Sequence, residues 1–150
     1  MKRTFQFKSK IDNLISISKG LSDDELKSNF SRYLCILASG YLEIAFKELL
    51  TNYASLASSP TIQNFIESSI QNITNLKADR IFDNLCKFNP DWGHDFESRI
   101  SDEQKAAIDT IVANRNNIAH GGDVGISFVN VKQYYERAQE VVFLLNSIVK

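Results

Sequence analysis

Arg115 and His120 stand five residues apart in the stretch IVANRNNIAHGG, residues 111–122. A guanidinium can hold a phosphodiester bidentately and stabilise the extra charge of a pentacoordinate state. An imidazole can withdraw a proton from a ribose 2′-hydroxyl, or give one to a departing 5′-oxygen. Neither step needs a metal, and the sequence shows no His/Cys/Asp/Glu cluster with metal-ligand spacing. At ~100° per residue, Ile108, Ile111, Val112, Ile118 and Ala119 form one apolar stripe, and Arg115 falls near its middle. Asn116 and His120, four apart, share a strip flanking the arginine. Gly121 and Gly122 end the helix and leave bare backbone beside the imidazole. The dipole at that helix end favours imidazolium, whereas the neighbouring guanidinium disfavours it.

Each of these residues has an ordinary structural use as well. Arg115 can pair with a carboxylate from a central helix, and His120 can cap loose carbonyls. Asn116 can be a plain surface residue or can orient His120 or a phosphate. Glu43 can pair with Lys47 one turn on, or can orient the arginine or the histidine. Asn114 and Asn117 read as solvated; Asn117 and Gly121 are also positions that could support the site. One Arg and one His make a thin site. Two copies face to face would supply two cations and two proton-transfer groups, an arrangement natural to a symmetric dimer.

The elements that must position these residues are helical. A first helix over about 5–19 places Phe7, Ile11, Leu14, Ile15 and Ser18 on one face, with Gly20 as its stop. Ser22-Asp23-Asp24-Glu25 reads as a capping box opening a long helix to about Ala57. That helix is apolar almost all round between Leu34 and Phe46, which places it at the centre of a bundle. Gly40 inside it implies a close neighbour. Ser59-Pro60 starts a helix to about Asn72, and a shorter one spans about 76–87. Asn89 to Ile100, with Pro90, Trp92, Gly93, His94 and Phe96, reads as an irregular loop whose aromatics could stack bases. Ser101 to Gln104 is a second capping box, and it opens the helix that carries Arg115. The last helix runs over about 131–149, with Phe143 and Leu144 off its main stripe and open to a second contact. No strand alternation, repeat or linker appears. The expectation is one all-α domain over residues 1–150, a bundle of five to six helices around a long central one.

Composition narrows the function classes. The chain has 150 residues and a formal net charge of −1, so any polyanion must be held by a local patch and not by a global field. Arg3, Lys8, Lys10, Arg80 and Arg99 are candidates for phosphate contact, or plain solvated charges. The N-terminal residues do not read as a signal peptide, and the apolar region 33–50 is interrupted by Ser39, Gly40, Glu43, Lys47 and Glu48, so no membrane partner is expected. Cys35 and Cys86 fit free thiols in a reducing cytoplasm.

Arg115-Asn116-Asn117-Ile118-Ala119-His120 resembles the R-x4–6-H signature of the HEPN superfamily, whose arginine is usually followed by Asn, Asp or His. The trailing Gly121 matches the common form R-N-x-x-A-H-G. Tyr41 to Leu50, in the long early helix, is also similar to members of that group, above all to the RiboL-PSP type of HEPN domain. The resemblance implies a compact α-helical bundle and metal-independent endoribonuclease cleavage, with no cofactor, leaving a 2′,3′-cyclic phosphate. It implies a composite site across a homodimer, with Arg115, Asn116 and His120 as catalytic residues. It also implies a toxin or phage-defence role, with an antitoxin or other defence protein as partner. HEPN-like bundles also occur as non-catalytic modules that bind nucleotides, RNA or proteins, and that is the competing expectation.

Overall fold

The structure is a computed structural model that describes residues 1–122 and 124–150. Seven helices follow one another: α1 Lys2–Ser18, α2 Asp24–Ala57, α3 Pro60–Gln71, α4 Ala78–Phe88, α5 Pro90–Arg99, α6 Asp102–Ala119 and α7 Phe128–Ile148. No strand occurs among the described residues. The all-α architecture is the expected one, with one helix more than the upper expected count.

The 34 residues of α2 span ~51 Å at 1.5 Å per residue, and this helix is the axle of the fold. It packs against α1, α3, α6 and α7. Leu34, Cys35, Ala38, Leu42, Ala45, Phe46 and Leu50 along it are essentially sealed from solvent, as a helix apolar on all sides requires. The cap of α2 differs from the expected one. Asp23, not Ser22, accepts from the Leu26 amide at 2.8 Å, so the box at Ser22–Glu25 is not used. Gly40 has its close neighbour: a Cβ there would stand 3.3 Å from the Phe7 ring of α1. Tyr41 meets Tyr135 of α7 edge-on at 5.5 Å, and Tyr135 donates to Asp12 of α1 at 3.1 Å. Burial, and then the Asp12 carboxylate, push the Tyr41 phenol up to about 12.

The segment expected as a loop, 89–100, is helical. Asn89 caps it by accepting from the Asp91 amide at 3.0 Å, and Pro90 takes the first helical position, where its missing N–H costs nothing. Gly93 sits where α5 meets α4, since a Cβ there would collide with Cys86 Sγ. Trp92 and Phe96 are buried core residues, with Trp92 edge-on to Tyr53 at 4.8 Å. They are not an open stacking platform, and His94 alone of that trio is exposed. Leu144 is also buried, on α7, which packs against α5 among other helices, and of the two only Phe143 stays outward at 79% exposed. Cys35 and Cys86 are free thiols. No helix among the described residues is long and apolar enough to cross a membrane.

Candidate functional site

The capping box at Ser101 forms as expected. Ser101 Oγ accepts from the Gln104 amide at 3.1 Å, and Gln104 Oε1 accepts from the Ser101 amide at 3.0 Å. From this start α6 buries Ala107, Ile108, Ile111 and Val112. Ile111 lies against α2, where its carbonyl receives the Cys35 thiol at 3.6 Å. Beyond Val112 the helix is less deeply covered. Ile118 is only half-buried, and Ala119 is exposed. Arg115 shares the inward register of Ile108 and Ile111, and it is half-buried.

No carboxylate among the described residues pairs with Arg115. Its Nη1 donates instead to Asn116 Oδ1 at 3.1 Å. Asn116 lies ~100° around the helix from Arg115, and His120 ~140° around. The amide therefore draws the guanidinium away from the core side and toward the side that carries the imidazole. His120 is the C-cap residue and is exposed. Its backbone amide donates to the Asn116 carbonyl at 3.1 Å, while its ring has no hydrogen-bond partner among the described residues. The carbonyl-capping alternative is thus carried by backbone alone.

The chain reverses directly after the histidine. Gly121 adopts φ +76°, its amide donating to the Ile118 carbonyl at 3.1 Å, while the Gly122 amide donates to the Asn117 carbonyl at 2.8 Å. This is a Schellman closure, which needs the left-handed conformation that glycine adopts without a Cβ penalty. Gly122 is constrained by contact: a Cβ there would stand 2.9 Å from the Asn117 carbonyl oxygen. Both glycines and Asn117 are exposed.

Arg32 of α2 was not among the candidate residues, and no local pattern marks it. Its Nε donates to the Val124 carbonyl at 3.2 Å, and its terminal nitrogens reach Asn29 Oδ1 at 3.1 Å and Ser28 Oγ at 3.3 Å. Together with the Cys35–Ile111 contact, this sets the first half of α2 alongside the second half of α6 and ties down the α6–α7 connection. Glu43 is not joined to this site. Its carboxylate accepts from the Asn75 amide at 3.2 Å, at a residue with φ +55° in the α3–α4 connection, and it forms no ion pair with Lys47, whose ammonium donates to the Gln71 carbonyl at 3.1 Å. Lys8 and Arg99 are engaged with Asp12 and Asp95 on their own helices. Among the described residues no group of three or more His, Cys, Asp or Glu side chains could hold a metal ion.

A family model described as RiboL-PSP-HEPN matches residues 5–150. The chain belongs to that HEPN family. No curated protein and no solved structure matches it. The match covers nearly the whole HEPN chain, α1 to α7 included, so the Arg115–His120 segment is an integral helix end of that domain and not an appended tail.

Proposed function

We propose that this HEPN chain is a metal-independent endoribonuclease whose working site is composite, with Arg115, Asn116 and His120 contributed by each of two copies. The observation that carries the reading is the Arg115–Asn116 hydrogen bond. It holds a guanidinium that no carboxylate among the described residues neutralises, on the side of α6 where an exposed imidazole is also without a hydrogen-bond partner among them.

In this reading one imidazole accepts the proton of a ribose 2′-hydroxyl as its oxygen attacks the adjacent phosphorus. The O2′–P bond forms, charge builds on the non-bridging oxygens, and Arg115 stabilises it. The P–O5′ bond then breaks, and an imidazolium gives its proton to the departing 5′-oxygen. The products are a 2′,3′-cyclic phosphate and a 5′-hydroxyl. Base and acid are needed on opposite sides of one phosphorus, and two symmetry-related histidines meet that need. A toxin or defence role, held in check by an antitoxin or other partner protein, belongs to the same proposal.

The experiment incubates labelled single-stranded and structured RNA with the wild type, Arg115→Ala and His120→Ala in EDTA, with sedimentation run in parallel. The expected result is cleavage by the wild type alone, 2′,3′-cyclic ends and a dimer. Equal cleavage by all three proteins, or activity abolished by the chelator, would overturn the proposal. RNA or protein binding without turnover, unchanged by His120→Ala, would favour the non-catalytic binding module instead.

A further inference from the structure

On the other flank of His120, a cleft of about 320 Å³ opens between the second half of α6 and the start of α7. Its polar lining is Asn114 and Asn117 from α6 and Asn130 and Tyr134 from α7, with the backbone of Gly125 at its mouth. None of these four side chains makes a hydrogen bond with another described residue. The Asn130 amide nitrogen is used by Ser127, and the Asn117 carbonyl by Gly122, but both carboxamides are unengaged. Elsewhere the half-buried or buried asparagines do find protein partners: Asn84 the Arg80 carbonyl, Asn146 the Val142 carbonyl. Asn114 is half-buried and finds none.

Three carboxamides and a phenol present donors and acceptors side by side, and the lining carries no charged side chain among the described residues. That chemistry does not suit a phosphate, which asks for donors and positive charge. It suits the edge of a nucleobase, which also mixes donors and acceptors. Direction follows from the neighbours. Past Tyr134 the α6–α7 groove continues between Glu103, Glu136 and Arg137, where Arg137 is already paired to Glu103 at 3.2 Å. Two carboxylates against one committed cation repel a sugar-phosphate chain. At the other end Asn117 stands one turn from His120, and the order around the α6 axis is Arg115, Asn116, His120, Asn117, Asn114 at ~0°, 100°, 140°, 200° and 260°.

The geometry points to a base-reading subsite: Asn114, Asn117, Asn130 and Tyr134 hold one base of the RNA strand beside the linkage that Arg115 and His120 address. This rests on the nuclease reading for its orientation, but not for its binding. The subsite makes recognition sequence-dependent at one position, while Arg115 supplies contact common to all sequences.

The test uses binding, so that it does not depend on cleavage. Fluorescent 2′-O-methyl decamers of U, C, A and G, which lack the attacking hydroxyl, are titrated onto the full chain and onto the Asn117→Ala/Asn130→Ala double variant. For the wild type the tightest and weakest decamers are expected to differ by about tenfold or more. In the double variant the preferred decamer is expected to weaken toward the others, so that the spread shrinks to within about threefold, while the weakest decamer keeps its affinity through the phosphate contacts. Equal binding of the four decamers by the wild type, no binding at all, or a preference that survives the double substitution would overturn the subsite. Failure of the nuclease reading registers separately, as RNA left intact in EDTA while the base preference stands.

Discussion

Glu48 offers the sharpest test of how this bundle is held. Its side chain, 14% exposed, reaches from α2 to the start of α1, accepting from the Arg3 amide at 3.0 Å, the Thr4 amide at 2.9 Å and the Thr4 hydroxyl at 2.6 Å. One carboxylate thus satisfies orphan donors of a helix that carries no side-chain cap of its own. A hydrogen bond to a charged acceptor is worth about 1.5–3 kcal/mol net. Water can replace the bond to exposed Arg3, but Thr4 is buried. Counting only the Thr4 pair, and allowing for non-additivity, Glu48→Ala should cost about 3 kcal/mol. Glu48→Gln keeps one accepting oxygen and turns its amino group toward a donor, so it should cost about 1–2 kcal/mol.

The pH dependence has a definite sign. Burial alone would raise the Glu48 carboxyl. The Thr4 hydroxyl and the Thr4 and Arg3 amides outweigh it and hold the group below its ordinary 4.5. A depressed carboxyl contributes its full stabilisation above the unfolded value, and loses it as pH falls through the folded one. Urea melts followed by helical circular dichroism should therefore show the wild type well above Glu48→Gln at neutral pH, with the gap closing once the pH drops below 4.5. An Ala variant within about 0.5 kcal/mol of wild type, or a gap that stays constant into acid, would refute the clamp.

Three further outcomes are expected. Asn116→Ala should lower kcat for RNA cleavage by the proposed site about 10–100-fold with KM little changed, as loss of a charge-assisted bond worth about 1.5–3 kcal/mol implies; a rate equal to that of the wild type would remove Asn116 as the residue that positions Arg115. Gly121→Ala, forced to hold φ +76°, should cost about 1–2 kcal/mol in a thermal melt, and Gly122→Ala should also destabilise through its contact with the Asn117 carbonyl; unchanged midpoints would show that the turn is not constrained as described. Cys35 is buried against Ile111, and burial pushes its thiol up to about 11, so a thiol reagent at pH 8 should label half-buried Cys86 and reach Cys35 only in denaturant; prompt labelling of both would contradict the packing.

Much of the bundle was legible in residue order because its helices announce themselves locally. The Ser101–Gln104 box, Pro60 at a first helical turn and the all-round apolarity of residues 34–46 each depend on neighbours a few positions away. What escaped depends on contacts distant in sequence. Pro90 and Gly93 look like loop punctuation, yet one is a first-turn proline and the other is the clearance for Cys86. With α5 read as a loop, Leu144 had no visible partner and looked free for another chain. At the candidate site the residue types were legible, but their placement was not. Register places Arg115 on the inward stripe, but the partner its guanidinium takes, Asn116, is not something periodicity can show. Glu43 looked like a helix-surface charge, and its true neighbour, the Asn75 amide, lies 32 residues away.

The partly covered end of α6 separates two kinds of fitness. The groups offered to a ligand are half-buried or exposed and lie outside the sealed interior, so exchanging them should subtract less from the folding free energy than exchanging a core residue. A lineage could shed the chemistry by drift at Arg115 or His120 and still inherit an intact scaffold, ready to be kept for adhesion alone. Thermal stability is therefore a poor witness to activity in such chains, and turnover has to be measured for each one.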